Sequence, residues 1–235
     1  MLIAWLYLFF PERHEMHGMK SVSNVVLLFA ALALSNQISA ETAPEVQKSK
    51  GDAAKGQQIA TQICATCHNP DGNSVIPTNP SLAGQHAEYI TKQLENFKPQ
   101  DGKPAERESP IMGAMVAPLS AEDMKNLGAY YAQQTSRSGG AKDKALAQQG
   151  EKIYRGGNLE SGLPACAGCH SPNGVGIPPN YPRLAGQHSE YVAAQLRAFR
   201  TDQRTKDPNN VMHMIASRMS EREIQVVSEF ISGLR

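Results

Sequence analysis

All four cysteines of the 235-residue chain fall into two copies of one arrangement. Cys64 and Cys67 are followed directly by His68 in CATCH, and Cys166 and Cys169 by His170 in CAGCH. Three chemistries use cysteines at this spacing. A disulfide or redox dithiol would use each pair alone, in an oxidising compartment or a strand-helix-strand setting, and leaves the adjoining histidines without a role. A four-thiolate zinc site would use both pairs, but Cys67 and Cys166 lie 99 residues apart, against a usual gap of roughly 15 to 20. One site per copy would leave each zinc short, with two cysteines and one histidine. The third chemistry is covalent haem of the c type, for which Cys-x-x-Cys-His is the attachment signature. There both thiols bond to the vinyl groups of one porphyrin, and the histidine after them is carried under the ring, where its imidazole can bind iron.

The residues around the motifs are copied as well. CATCHNPDG recurs as CAGCHSPNG, and PSLAGQHAEY, from Pro80, recurs as PRLAGQHSEY, from Pro182, both at an offset of 102. Leu119-Ser120 matches Met219-Ser220 at an offset of 100. Two copies of a unit this long predict two similar domains, since a stacked solenoid needs at least about three repeats. The polar, glycine-bearing stretch 133–140 is the expected link, giving domains 41–138 and 139–235. Within each unit the periodicity predicts three helices and no strand. Asp52 is placed to cap a first helix running into Cys64, and Tyr89, Leu94 and Phe97 mark a middle one, as do Tyr191, Leu196 and Phe199. Ser120 and Ser220 open the last helices with a capping-box pattern. Between them lie loops rich in Pro, Gly and Asn. So small and loop-rich a unit needs a staple or a cofactor.

CATCH paired with CAGCH, LAGQH after each, and a methionine-rich segment before each final helix resemble the di-haem cytochromes of the cytochrome c4 family. The resemblance covers essentially the whole chain beyond residue 40. It implies an all-α fold of two tandem class I cytochrome c domains, two covalently bound haem c groups, and a His/Met iron in each. The expected thioether attachments are Cys64, Cys67, Cys166 and Cys169, and His68 and His170 fill one axial position each. Met112 and Met212 are the expected sixth ligands: each lies eight residues before its capping serine. Met115 aligns with Ile215 and Met214 with Ala114, so neither is duplicated. His213, Met214 and Met115 remain as alternatives at this point. By resemblance, the Pro80 and Pro182 carbonyls would accept from His68 and His170. His86 and His188 read as polar helix-start or haem-edge residues.

The ends and the charge narrow the function. Lys20, the apolar run 25–34 and the small residues up to Ala40 form a secretory signal pattern with cleavage after Ala40. The ten-residue run is short of the roughly 20 that a spanning helix needs. Residues 1–18 read as an over-extended start before Met19. The net charge of +1 carries no basic field that would favour nucleic acid. No acid, base or nucleophile constellation accompanies the motifs. The expectation is therefore a periplasmic electron carrier, monomeric, soluble or loosely membrane-associated, and not an enzyme. The resemblance implies transfer from a quinol-oxidising complex to a terminal oxidase. The rivals are a di-haem peroxidase-like enzyme with one open iron, and an electron-accepting subunit of a dehydrogenase.

Overall fold

A computed structural model describes residues 51–100, 102–137, 139–204 and 208–235. The signal segment and the expected mature start at Glu41 lie outside the described residues. Helix α1, Ala53–Ile59, begins at Asp52, whose carboxylate accepts from the Ala54 and Lys55 N–H groups. It continues through a π-helical turn, Ala60–Cys64, into α2, Ala65–His68, so the cysteines and histidine of CATCH close one continuous helical run. Next come α3, Ala87–Phe97; α4, Pro110–Val116; and α5, Ala121–Ala132. The second half repeats the order: α6, Lys144–Gly156; α7, Ala167–His170; α8, Ser189–Arg200; α9, Val211–Ala216; and α10, Glu221–Gly233. Only isolated bridges, and no strand, occur among the described residues.

The first helix of each half crosses the last, α1 against α5 and α6 against α10, and glycines set how closely. A Cβ on Gly56 would stand 2.0 Å from the Asn126 carbonyl oxygen. A Cβ on Gly150 would stand 1.9 Å from that of Val226. Each crossing seals a separate core. Leu127, Tyr131, Ile90 and Val116 belong to the first, with Cys64 and Met112 packed against it. Tyr154, Ile224, Val227 and Ile231 belong to the second, with Cys166 packed against it.

Both expected capping boxes form. Ser120 Oγ accepts from the Asp123 N–H at 3.1 Å while Asp123 accepts from the Ser120 N–H at 2.9 Å; Ser220 and Glu223 repeat this. Hydrogen bonds from the Ser120 side chain and backbone hold the Asp123 carboxyl below its ordinary value of 3.8. Its contribution to stability is therefore present above that value and is lost as pH falls through the depressed one. Ser120→Ala should cost about 1 kcal/mol in denaturant unfolding, with a smaller deficit in acid.

The expectation of three helices per unit needs correction, because the methionine-bearing segments are helical too. In α4, Pro110 occupies the first turn and Ser109 Oγ accepts from the Met112 N–H at 3.2 Å. Proline suits a first turn because its missing N–H has no acceptor there.

The halves meet across a pseudo-symmetric polar seam. Arg107 donates to Gln93 and Gln195 at 2.7 Å and to the Tyr191 hydroxyl at 3.1 Å. Arg204 donates to Gln195 at 2.7 Å and to Gln93 and the Tyr89 hydroxyl at 2.9 Å.

Candidate haem sites

Each Cys-x-x-Cys-His histidine is buried and orientated by the backbone. His68 Nδ1 lies 2.9 Å from the Pro80 carbonyl, and His170 Nδ1 lies 3.0 Å from that of Pro182. A carbonyl oxygen only accepts, so both Nδ1 atoms carry the proton and both Nε2 atoms keep a lone pair. Burial pushes both imidazoles below their ordinary pKa, partly offset by the bond to proline. Neutral, orientated and with Nε2 unprotonated is the form in which a histidine binds a metal.

The chain turns sharply after each histidine. Asn69 and Ser171 have positive φ, 61° and 68°, where residues other than glycine are strained. Tyrosines pin both turns from different helices: the Tyr130 hydroxyl of α5 donates to the Pro70 carbonyl at 2.9 Å, and that of Tyr154 in α6 to the Ser171 carbonyl at 2.7 Å. The two halves reach one geometry by different residues.

Cys64 and Cys166 lack the surroundings of a reactive thiol. None of the four is in a disulfide. Burial pushes the Cys64 thiol up and the Cys166 thiol up to about 11, whereas a reactive thiol is depressed. No cluster of three or more His, Cys, Asp or Glu side chains suited to a metal ion occurs among the described residues. A covalent porphyrin fits instead: thiols one helical turn apart, an imidazole with Nε2 available, and an apolar core beside them.

The candidate sixth ligands separate by exposure. Met112 packs against the core that Cys64 also touches, while Met115 is 42% exposed. Met212 is half-buried on α9, while Met214 is 51% exposed. His213 Nδ1 is engaged with the Phe199 carbonyl at 2.9 Å and with Asp202 at 2.8 Å. His86 and His188 stand at the N-caps of α3 and α8, as their helix-start positions suggested, but neither side chain caps its helix. His188 Nε2 instead lies 2.8 Å from the Ser74 carbonyl in the other half. Sequence reasoning passed over Gln85 and Gln187; their place in the duplicated LAGQH was the available signal.

Comparison with known proteins gives the family. The cytochrome c family model matches residues 53–135 and 147–235. Cytochrome c4 of Azotobacter vinelandii is 46% identical over 190 residues, spanning 78% of this chain and 90% of that one. The crystal structure of reduced recombinant cytochrome c4 from Pseudomonas stutzeri has a TM-score of 0.74 at 42% identity, covering 79% of this chain and 100% of that one. The thiosulfate dehydrogenase electron acceptor of Stutzerimonas stutzeri (strain A1501) is 34% identical over 227 residues, spanning 92% of this chain and 97% of that one. Fold, motifs and matches define a two-domain c-type cytochrome, an electron carrier rather than an enzyme. The chain belongs to the di-haem cytochrome c4 family and carries two covalently bound haem c groups. Its partners are redox proteins.

Proposed function

We propose that His68 and Met112 ligate one iron and His170 and Met212 the other, within domains 41–138 and 139–235. Cys64 and Cys67 form the thioethers of the first haem, and Cys166 and Cys169 those of the second. The duplicated bond from histidine Nδ1 to a proline carbonyl carries this reading, because it leaves Nε2 of each motif histidine able to bind iron. Each haem, when bound, supplies an iron that cycles between ferrous and ferric. The protein orients the imidazole, adds a thioether donor that raises the potential, and shields the site with its apolar core. With a histidine and a methionine both holding each iron, the protein would pass electrons and leave no iron position for a small substrate.

The carrier works in the periplasm behind a cleaved signal, taking electrons from a quinol-oxidising complex and giving them to a terminal oxidase. No helix among the described residues is long and apolar enough to cross a membrane. A second reading, service to a dehydrogenase, is favoured by the relative named as a thiosulfate dehydrogenase electron acceptor. A redox titration of the periplasmic protein, followed by absorption, should show two low-spin haems, each with a methionine-to-iron charge-transfer band. Substantial high-spin haem in the oxidised protein would refute His/Met ligation. Stoichiometric co-purification with a dehydrogenase would favour the second reading over the respiratory one.

A further inference from the structure

The duplicated runs 82–86 and 184–188 hold a glutamine each, Gln85 and Gln187, 8% and 9% exposed. Buried primary amides are found where their donors and acceptors are used, and both of these are used in the opposite half. Gln187 Oε1 accepts from the Ser81 N–H at 2.9 Å, and its Nε2 donates to the Ser81 carbonyl at 2.9 Å. Gln85 Oε1 accepts from the Arg183 N–H at 2.9 Å, and its Nε2 donates to the Arg183 carbonyl at 3.0 Å. Each Oε1 also accepts from the next N–H of its own chain, His86 or His188, at 3.1 Å. With N–H groups facing Oε1 and carbonyls facing Nε2, the amide orientation is dictated.

Ser81 directly follows Pro80, and Arg183 directly follows Pro182. The carbonyl that accepts from His68 and the N–H that donates to Gln187 therefore belong to one peptide group. The same holds for His170, the Pro182–Arg183 peptide and Gln85. Donation through the N–H polarises a peptide and makes its oxygen a stronger acceptor, by roughly 10–30% per bond. A stronger acceptor at Nδ1 raises the donor strength of Nε2, which favours ferric over ferrous iron.

We infer that Gln187 of the second half tunes the iron of the first, and that Gln85 of the first half tunes the iron of the second, each through the proline peptide that orients the other half's histidine. Both potentials thereby depend on a closed seam between the halves. The inference rests on His68 and His170 being the iron ligands.

The test is a redox titration of holoprotein carrying Gln187→Leu, with proton spectra in which the methionine methyl signals of Met112 and Met212 mark the two haems. Gln187→Leu should raise the first haem's midpoint by roughly threefold in its reduction equilibrium, about 30 mV at 59 mV per tenfold, and should leave the second unchanged. Gln85→Leu should do the converse. Gln187→Glu keeps an acceptor for the Ser81 N–H and should not raise the midpoint. The shifted ring N–H signal of His68 should move with Gln187→Leu, and that of His170 with Gln85→Leu. A shift in the haem of the mutated half, an equal shift in both, or no shift overturns the inference. Should Gln187→Leu not fold, Gln85→Leu carries the same test with the haems exchanged. Unmoved midpoints with intact His/Met spectra defeat this coupling alone, whereas a missing iron-shifted histidine signal defeats the ligation itself.

Discussion

Met112→Ala should turn one of the two haems high-spin in the oxidised protein and remove about half of the methionine-to-iron charge-transfer absorption, leaving the other haem untouched. Ser109 and Pro110 fix the start of α4, and its Met112 packs against the core that Cys64 also touches. Alanine keeps the helix but cannot reach the iron. Loss of a methionine ligand should also lower the potential, since a thioether donor raises it. Met115, one turn further on and 42% exposed, is the control: Met115→Ala should leave spectrum and potential unchanged. Met212→Ala should repeat the result in the second haem, since Met212 holds the duplicated position eight residues before Ser220. Absorption and electron paramagnetic resonance of both variants decide it. An unchanged Met112→Ala spectrum, or a changed Met115→Ala one, would give the ligand role to another side chain.

Legibility in the sequence followed the range of the forces involved. The first helix running into Cys64, the middle helices and the capping boxes at Ser120 and Ser220 depend on neighbours a few residues away, and their signals are local. The helices of the methionines are equally local but only seven and six residues long, too short for a periodic pattern to register. The π-helical turn at Ala60–Cys64 left no mark in the apolar spacing of Ile59 and Ile63. The roles of Gly56 and Gly150 and the crossed bonds of Gln85 and Gln187 could not be read from periodicity, because they join residues 70 or more apart in the chain. Duplication was the one long-range signal available. It singled out Met112 and Met212 by register, and it also carried the two glutamines within LAGQH.

Gly150→Ala should destabilise the second half by about 2 kcal/mol or more, even though alanine is the better helix former by roughly 1 kcal/mol. The added methyl would sit 1.9 Å from the Val226 carbonyl oxygen and 2.8 Å from Phe230 Cβ. A carbonyl in the middle of α10 cannot rotate aside as a flexible side chain would, so α6 and α10 must move apart. Overpacking of this kind costs about 1–3 kcal/mol, occasionally more, against a total stability of roughly 5–15 kcal/mol. Gly156→Ala is the matched control. It lies on the same helix with nothing within 4 Å of its added methyl, so it should be neutral or stabilising by up to about 1 kcal/mol. Denaturant titrations followed by far-ultraviolet circular dichroism measure both. The damage should also reach one haem before the other. The Tyr154 hydroxyl of α6 donates to the carbonyl of Ser171, the residue after His170, at 2.7 Å, so displacing α6 pulls on the turn that carries that histidine. Gly150→Ala should therefore disturb the spectrum of the second haem at lower denaturant than that of the first, and Gly56→Ala, at the α1–α5 crossing, should reverse the order.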